Sequence, residues 1–147
     1  MRHAAHAHGT VIQLENSAWS ALRRAAGTFV RPSTTSTSGW VHFPVTAPVV
    51  ANDVRLALGT VWVRFNMGSR ASIDAIEVYD GASRIMADTT HRTTTGESQN
   101  VRLAVADRPP FFTGLLVSFL VNFNGAGPDA WIQFIAAGGD FFDGIPL

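Results

Sequence analysis

Three histidines, His3, His6 and His8, lie close together at the start of the chain. Imidazole nitrogens bind Cu(II) and Ni(II), and a histidine at the third position can complete a square plane with the terminal amine and two backbone amides. These three residues are therefore the candidate metal ligands of the sequence. The alternative, which we favour, is that residues 1–9 form a solvated His-rich tail that binds such metals only adventitiously.

Carboxylates form two further patterns. Asp74 and Glu77 are a pair of the kind that a glycosidase uses as acid and nucleophile. In a regular strand an offset of three residues places two side chains on opposite faces, so only a β-bulge between them would bring these carboxylates together. Aspartates in turns more often accept hydrogen bonds from their own backbone than bind metal ions. Four aspartates in predicted turns nevertheless offer oxygen ligands for Ca²⁺: Asp80, Asp129, Asp140 and Asp143.

Two tryptophans, Trp40 and Trp62, lie on predicted strands, and each has a polar residue two positions later, His42 and Arg64 respectively. Residues two apart on a strand share a face. An indole ring beside a polar side chain can stack on a sugar ring while the polar group binds a hydroxyl. Trp62 and Trp40 are therefore the candidate residues of a lectin-like module that binds a glycan, with or without Ca²⁺. The alternative is that both indole rings pack in the core.

The strand predicted over Leu115–Phe123 has an unusual outer face. Its odd positions supply the core, yet its even positions include Leu116 and Leu120, where an antiparallel strand usually carries polar residues. Such a face is covered either by a loop of the same chain or by another subunit. We favour a non-enzymatic structural or interaction module that forms a homo-oligomer or a larger assembly. The candidate interface combines the two leucines with two aromatic pairs: Leu116, Leu120, Phe111, Phe112, Phe141 and Phe142.

Strands must position these residues, because apolar and polar side chains alternate with a period of two along most of the chain. The pattern is clearest over residues 61–67, and residues 80–83 contain the Asp-Gly pair typical of a tight hairpin turn. Eight or nine such segments at close spacing predict an all-β fold over residues 10–147, an antiparallel two-sheet sandwich of jelly-roll type. The single short helix that the pattern permits begins at Asn16 or Ser17 and ends before Gly27, with an irregular crossover as the alternative.

Composition limits the class of protein. A chain of 147 residues with 46% hydrophobic residues and ten phenylalanines suits one domain with one core. Eleven basic residues, all arginine, balance eleven acidic ones, so no excess positive charge is available for a phosphate backbone, and nucleic acid is not an expected partner. Zero net charge also removes the repulsion that keeps monomers apart.

Missing residue types and motifs narrow the function further. The sequence has no cysteine and no lysine, and it has neither a G-x-S-x-G nor an H-E-x-x-H motif, so we do not expect an enzyme. A metal-dependent jelly-roll enzyme is a third alternative. No apolar run has the length of a signal peptide or of a membrane span, which needs about 18 residues. We therefore expect no membrane span and a cytoplasmic location by default, with leaderless export as the alternative.

Four segments with a pattern of strands and turns are spread over most of the chain. They are HGTVIQLE (residues 8–15), GWVHFPV (39–45), IDAIEVYDGASRI (73–85) and FIAAGGDFF (134–142). These segments resemble those of a bacterial family of small β-sandwich proteins of unknown function. The resemblance implies a β-sandwich fold, and it implies no activity and no functional residue.

Overall fold

Two antiparallel β-sheets pack face to face in this computed structural model, which describes residues 1–93 and 99–147. The described residues form twelve strands and one 3₁₀ turn, Gly9–Val11. The strands are β1 (Arg2–His8), β2 (Gln13–Leu14), β3 (Ser20–Arg24), β4 (Gly27–Arg31), β5 (Ser38–Val45), β6 (Val50–Ala51), β7 (Val54–Met67), β8 (Ala71–Asp80), β9 (Ser83–Asp88), β10 (Gln99–Ala104), β11 (Leu115–Phe123) and β12 (Ile132–Pro146).

The two sheets differ in size. Sheet A has the strand order β10-β7-β12-β4-β3, with β1 also paired to β12 and β6 also paired to β7. Sheet B has the order β2-β5-β11-β8-β9. This arrangement confirms the predicted all-β, antiparallel two-sheet sandwich. The predicted number of eight or nine strands is wrong, because β1 and β3 have no clear period of two and β6 is only two residues long.

The core lies between the sheets and is formed by alternate side chains of their central strands. The inward residues of segment 61–67 are at most 1% exposed, as the alternation predicts. Phe119 of β11 meets Phe134 of β12 from the opposite sheet, with ring centroids 5.0 Å apart. This packing fixes which side of each strand points outward, and the candidate functional side chains lie on those outward sides.

A β-hairpin stands where the sequence pattern permitted a short helix. β3 and β4 pair along their whole length, so the helix prediction is wrong. Leu22, which the helix would bury, is 52% exposed, whereas Trp19 is buried and donates its indole N–H to the Ser36 carbonyl oxygen at 2.8 Å. A single apolar anchor such as Trp19 fits a strand as well as a helical turn. The segment forms a hairpin because β4 pairs with β12 on its other side. Nowhere in the described residues is there a helix long and apolar enough to cross a membrane.

The first residues of the chain form an edge strand of sheet A. β1 pairs with β12 from Arg2 opposite Phe142 to His8 opposite Ala136. The terminal amine lies 2.6 Å from Asp143 Oδ2. The segment predicted to be a solvated tail is therefore part of the sheet. Its sequence has no β-branched residue and gives no strand signal, so only its partner strand reveals its structure.

Candidate functional site

The outer face of sheet B has a polar row at its centre. Strands β5, β11 and β8 are neighbours, and their register places His42, Ser118 and Glu77 next to one another. The inward residues of these strands fill the core, so the outward ones are left for solvent or a ligand. Seven residues line the resulting depression, which we call the Trp40 surface: Glu15, Trp40, His42, Glu77, Tyr79, Leu116 and Ser118.

A series of hydrogen bonds orders the polar row. His42 Nε2 lies 2.8 Å from Glu15 Oε2, and His42 Nδ1 lies 2.8 Å from Ser118 Oγ. Because a carboxylate only accepts, Nε2 donates to Glu15, and in this tautomer Nδ1 accepts from the Ser118 hydroxyl. Ser118 is 1% exposed, so the imidazole is held between a buried hydroxyl and an exposed carboxylate. The orientation of His42 is therefore fixed by the protein itself.

A second hydrogen-bonded series lies beside the first. Glu77 Oε2 accepts from the Tyr79 hydroxyl at 2.5 Å, and Glu77 Oε1 accepts from Arg84 Nη1 at 3.1 Å. The bond to Glu77 is the main cause that raises the pKa of Tyr79 above its ordinary value, and burial adds to it. The phenol thus stays protonated over the ordinary pH range and holds the Glu77 carboxylate in place.

Trp40 lies between two depressions. The Trp40 surface encloses about 310 Å³, and a neighbouring depression of about 260 Å³ is lined by Glu15, Asn16, Gly39 and Trp40. Small-molecule sites begin at about 300 Å³, so each depression alone is small. Because Glu15 and Trp40 line both depressions, the two adjoin at one indole ring and one carboxylate, and together we call them the sugar groove.

A β-bulge brings Asp74 to the same outer face as Glu77. The register of β8 against β11 passes from Ala75 to Ile73, which leaves Asp74 as the extra residue. The sequence predicts that only such a bulge would place the two carboxylates on one face. They nevertheless belong to separate clusters, because Asp74 accepts hydrogen bonds from three other side chains: Ser72, His91 and Asn122.

The partners of Asp74 keep it ionised. Burial by itself would raise the pKa of Asp74, but the hydrogen bonds from His91, Asn122 and Ser72 outweigh burial, and the pKa is lowered. A glycosidase acid needs a carboxyl group whose pKa is raised so that it still carries a proton. Asp74 therefore serves to hold His91 against sheet B and is unsuited to the role of a general acid.

Trp62 lies on the opposite side of the molecule, on the outer face of sheet A. It belongs to β7 and stands between Arg102 of β10 and Gly138 of β12. The structure thus places the two predicted sugar-binding tryptophans on different sheets, each in a depression of its own. The depression around Trp62 encloses about 370 Å³, and we call it the Trp62 surface: Trp62, Val63, Arg64, Arg102, Ile135 and Ala136 line it.

Two of the six predicted interface residues lie in the core. Phe111 and Phe141 are 0% exposed and contact each other with ring centroids 5.0 Å apart, so neither is available for contact between copies of the chain. The second member of each pair is outside: Phe112 is 59% exposed and Phe142 is half-buried, each beneath an arginine guanidinium 4.5 Å from its ring centroid. The two leucines lie on the outer face of sheet B, half-buried: Leu116 and Leu120.

The predicted histidine ligands do not converge. Successive side chains alternate along β1, so His3 lies on one face and His6 and His8 lie on the other. His3 Nε2 is 3.1 Å from Asp143 Oδ1, and His8 Nε2 is 2.8 Å from the Ala25 carbonyl oxygen. Among the described residues, no group of three or more histidine, aspartate or glutamate side chains is placed to hold a metal ion.

Three of the four aspartates that offer Ca²⁺ ligands in the sequence have side-chain partners in the structure: Asp80, Asp140 and Asp143. Asp80 accepts three hydrogen bonds of 2.7 to 3.2 Å from the backbone N–H groups of residues 112–114. The side chain of Asp140, 5% exposed, accepts from Arg2 at 2.6 Å and from Arg102 at 3.1 Å. These carboxylates therefore join loops and strands of the sandwich.

Sequence reasoning found the apolar part of the Trp40 surface and missed most of its polar part. Trp40 and Leu116 were predicted from strand alternation, His42 was visible as the polar neighbour of Trp40, and Glu77 was named only as the partner of Asp74. The remaining three polar residues come from segments distant in the sequence, and only the register between strands brings them to His42. No local signal marks them: Glu15, Tyr79 and Ser118.

Solved structures with a similar architecture are distant in sequence. TmCBM61, solved in complex with β-1,4-galactotriose, is 14% identical with a TM-score of 0.49, and the match covers 90% of this chain and 87% of that one. CBM29_1, a family 29 carbohydrate-binding module from Piromyces equi, is 9% identical with a TM-score of 0.49, over 93% of this chain and 90% of that one. These likenesses concern the β-sandwich architecture alone. Comparison with curated proteins gives no match.

The family comparison covers nearly the whole sequence. A model of DUF6623, described as a family of unknown function, matches residues 1–144. The match begins before β1 and ends within β12, so it includes both sheets and both candidate surfaces. It confirms the resemblance to a family of small β-sandwich proteins of unknown function, while the bacterial origin of that family stays a prediction. This chain belongs to the DUF6623 family.

Proposed function

We propose that this chain is a non-enzymatic carbohydrate-binding module whose Trp40 surface binds a neutral oligosaccharide. The observation that carries the proposal is the groove in which Trp40 and Glu15 each face two adjacent depressions. Two adjoining depressions that share one indole ring fit a chain of sugar units better than a single small ligand. Its polar side chains are already held by hydrogen bonds within the protein, so little side-chain entropy is lost on binding.

The lining of the Trp40 surface has both kinds of group that a sugar needs. The apolar face of a sugar ring packs on an aromatic ring, here the indole of Trp40. Sugar hydroxyls donate to carboxylate oxygens, and Glu15 and Glu77 retain lone pairs beyond those used by His42, Tyr79 and Arg84. Carboxylates at the site also disfavour an anionic ligand. Together these features favour a neutral sugar.

The series Glu15, His42 and Ser118 has the residue types of an acid–His–Ser catalytic triad. Two observations argue against nucleophilic catalysis. Ser118 is 1% exposed, so its hydroxyl cannot reach a substrate carbonyl. It also lies in the middle of β11, which is paired on both sides, so the N–H groups of this strand are used in the sheet and form no oxyanion hole. We therefore assign the series a positioning role, in which it orients His42.

A glycan array followed by tryptophan fluorescence titration tests the proposal. We expect saturable binding of a neutral oligosaccharide that Trp40→Ala weakens about tenfold, or about 1.4 kcal/mol, the size of one aromatic stacking contact. Trp62→Ala is the matched control, because it makes the same change on the other sheet, and it should bind normally. No binding across the array, or a loss in Trp62→Ala that Trp40→Ala does not share, would contradict the proposal.

Glu15→Gln separates sugar recognition from folding. The side chain of Glu15 is 61% exposed, so its replacement should change the free energy of unfolding by less than about 0.5 kcal/mol. Affinity for the neutral sugar should fall, because an amide is a weaker acceptor than a carboxylate. Chemical denaturation and fluorescence titration of the same preparation give both quantities. Unchanged affinity would remove Glu15 from the site.

Self-association through the outer face of sheet B is the alternative function. Leu116 and Leu120 lie on that face, and Leu116 lines the Trp40 surface. Copies that paired there would cover the sugar groove, so the two functions exclude each other at this surface. Light scattering distinguishes them: a mass near 15.8 kDa at high concentration favours the free groove, whereas a larger mass that the Leu116→Arg, Leu120→Arg double variant reduces favours assembly.

A further inference from the structure

A glycine next to Trp62 allows its indole ring to lie across sheet A. Gly138 of β12 is the register partner of both Trp62 and His6. A β-carbon at position 138 would lie 2.7 Å from Trp62 Cζ2 and 2.3 Å from the Ala5 carbonyl oxygen, so any side chain there would displace the ring. The His6 ring lies near the indole, with its centroid 6.1 Å away. Three strands therefore contribute to one aromatic platform.

Guanidinium groups flank this platform. Arg64 and Arg102 line the Trp62 surface, and both are exposed. Arg2 lies nearby, because it shares the carboxylate of Asp140 with Arg102. Arg2 and Arg102 thus share one carboxylate, and Arg64 adds a third guanidinium group, while the described residues that line the depression include no acidic side chain. Among the described residues, positively charged groups therefore outnumber negatively charged ones around this depression.

From the platform and its charge we propose a second binding site, in which the Trp62 surface binds an acidic saccharide. The sugar ring stacks on Trp62, and its carboxylate or sulfate group is bound by Arg64 and Arg102, whose planar forks of N–H donors match the oxygens of either group. This site is independent of the Trp40 surface, which lies on the other sheet and is lined by carboxylates. It differs from the proposed function both in its location and in the charge of its ligand.

A nucleic acid is the other anionic ligand whose rings can stack, and the charge distribution disfavours it. A nucleic-acid strand has one phosphate per unit and needs basic residues along its whole track. Here two exposed arginines stand beside one indole ring, and the chain as a whole has no excess of positive charge. This arrangement fits one acidic sugar unit.

Isothermal titration calorimetry at low ionic strength, with trigalacturonate and with a sulfated galactotriose in parallel, tests this site. We expect one of the two to bind with a stoichiometry of one, and which of them binds identifies the anionic group. Arg64→Gln and Trp62→Ala should each weaken binding about tenfold, the loss expected for one charge-assisted or stacking contact. Arg64→Gln is the cleaner variant, because Arg102 also anchors Asp140.

Matched controls separate this site from nonspecific attraction. Arg24→Gln changes an exposed arginine of the same sheet outside the Trp62 surface and should bind the acidic sugar normally, as should Trp40→Ala. The methyl ester of trigalacturonate has the same rings without the charge and should bind about tenfold more weakly than the acid. Added salt should weaken binding of the acidic sugar, because the arginines are exposed.

Several results would overturn the proposal: no binding of either acidic trisaccharide, equal binding of the acid and its ester, or unchanged affinity in Arg64→Gln and Trp62→Ala. Competition by inorganic sulfate or by an oligothymidine at equal concentration would also overturn it, since the surface would then be a general anion site or a nucleic-acid site. Failure here leaves the Trp40 surface unaffected, because Trp40→Ala and the neutral sugars test that surface separately.

Discussion

The outer faces of the two sheets present a similar arrangement with opposite charge. Each has one half-buried indole ring in a shallow depression, about 310 Å³ around Trp40 and about 370 Å³ around Trp62. Glu15 and Glu77 line the first, and two arginines line the second. A stacking ring alone therefore does not define the ligand of either surface. The charge beside the ring separates the two proposed sites, so changes that affect one face and spare the other are the most informative.

The two rings are also held in different ways. Trp62 depends on close packing, because Gly138 leaves no room for a β-carbon beneath it. The Trp40 surface depends on hydrogen bonds, chiefly those that join His42 to Ser118 and Glu15. A larger side chain at position 138 should therefore disturb the Trp62 surface on sheet A. Removal of a hydrogen-bond partner of His42 should disturb the Trp40 surface on sheet B.

The largest expected effect comes from Gly138→Ala. The new β-carbon would lie 2.3 Å from the Ala5 carbonyl oxygen, a backbone atom that moves only if β1 moves. We expect the free energy of unfolding, measured by urea denaturation, to fall by about 1–3 kcal/mol. Binding of the acidic sugar at the Trp62 surface should be lost as well, while the neutral sugar still binds at the Trp40 surface.

Gly114→Ala is the control for this variant. A β-carbon at position 114 would meet no atom within 4 Å. Replacing a glycine where there is space reduces the entropy of the unfolded chain, so this variant should be unchanged or up to about 1 kcal/mol more stable. If Gly114→Ala lost as much stability as Gly138→Ala, the steric explanation of the Trp62 platform would be wrong.

A smaller effect is expected on sheet B from Ser118→Ala. The change removes the hydroxyl that donates to His42 Nδ1 and leaves this half-buried acceptor without its partner. We expect the free energy of unfolding to fall by about 1 kcal/mol, together with a weaker affinity for the neutral sugar and an unchanged affinity for the acidic one. Ser20→Ala, at an exposed position of sheet A, is the control and should leave all three quantities unchanged. Lower stability with unchanged sugar affinity would show that the orientation of His42 does not matter for binding.

The smallest effect is expected in acid, where one carboxylate on each sheet can be compared. Burial would raise the pKa of Asp74, but hydrogen bonds led by that from His91 lower it. The pKa of Asp143 is lowered chiefly by the terminal amine and secondarily by His3. A lowered folded-state pKa contributes stability above the unfolded value, near 3.8, and this contribution is lost as the pH falls through the folded-state pKa.

Asp74→Asn and Asp143→Asn should therefore each reduce the loss of stability below about pH 4, because the asparagine has no proton to take up. Urea denaturation between about pH 3 and pH 7 measures the free energy of unfolding over this range. Asp107→Asn, at an exposed position, serves as the control. Curves that run parallel to that of the unmodified protein throughout would contradict the role given to these two hydrogen-bonded carboxylates.

The sequence predicts the strands that supply the core much better than the edges of the sheets. β11 has the bounds that alternation predicts, and the Asp-Gly turn joins β8 to β9 as expected. β1 and β3 were not predicted as strands, because their alanine, histidine and arginine residues have no clear period and their pairing with β12 and β4 is decided elsewhere in the chain. The alternation of apolar and polar residues reflects which side chains are buried, and an edge strand buries few of its side chains.

The candidate site was predicted only in part for a related physical reason. Trp40 could be found because its neighbours in the sequence alternate, but Glu15 and Ser118 meet His42 through the pairing of β2 and β11 with β5. The sequence indicates that a bulge is needed for Asp74 and Glu77 to share a face, but it does not show where that bulge lies. The extra residue of a bulge is defined only by pairing with the partner strand. Register between distant strands is not encoded in a short segment of sequence.

The side chain of Asp80 has a consequence for the motion of the loop that carries Phe112. Three successive backbone N–H groups of residues 112–114 donate to this one buried carboxylate. Their amide hydrogens should exchange with solvent as slowly as those of the neighbouring strands, although the residues lie outside any strand. We therefore expect this surface loop to unfold together with the β8–β9 hairpin, because one carboxylate joins the two.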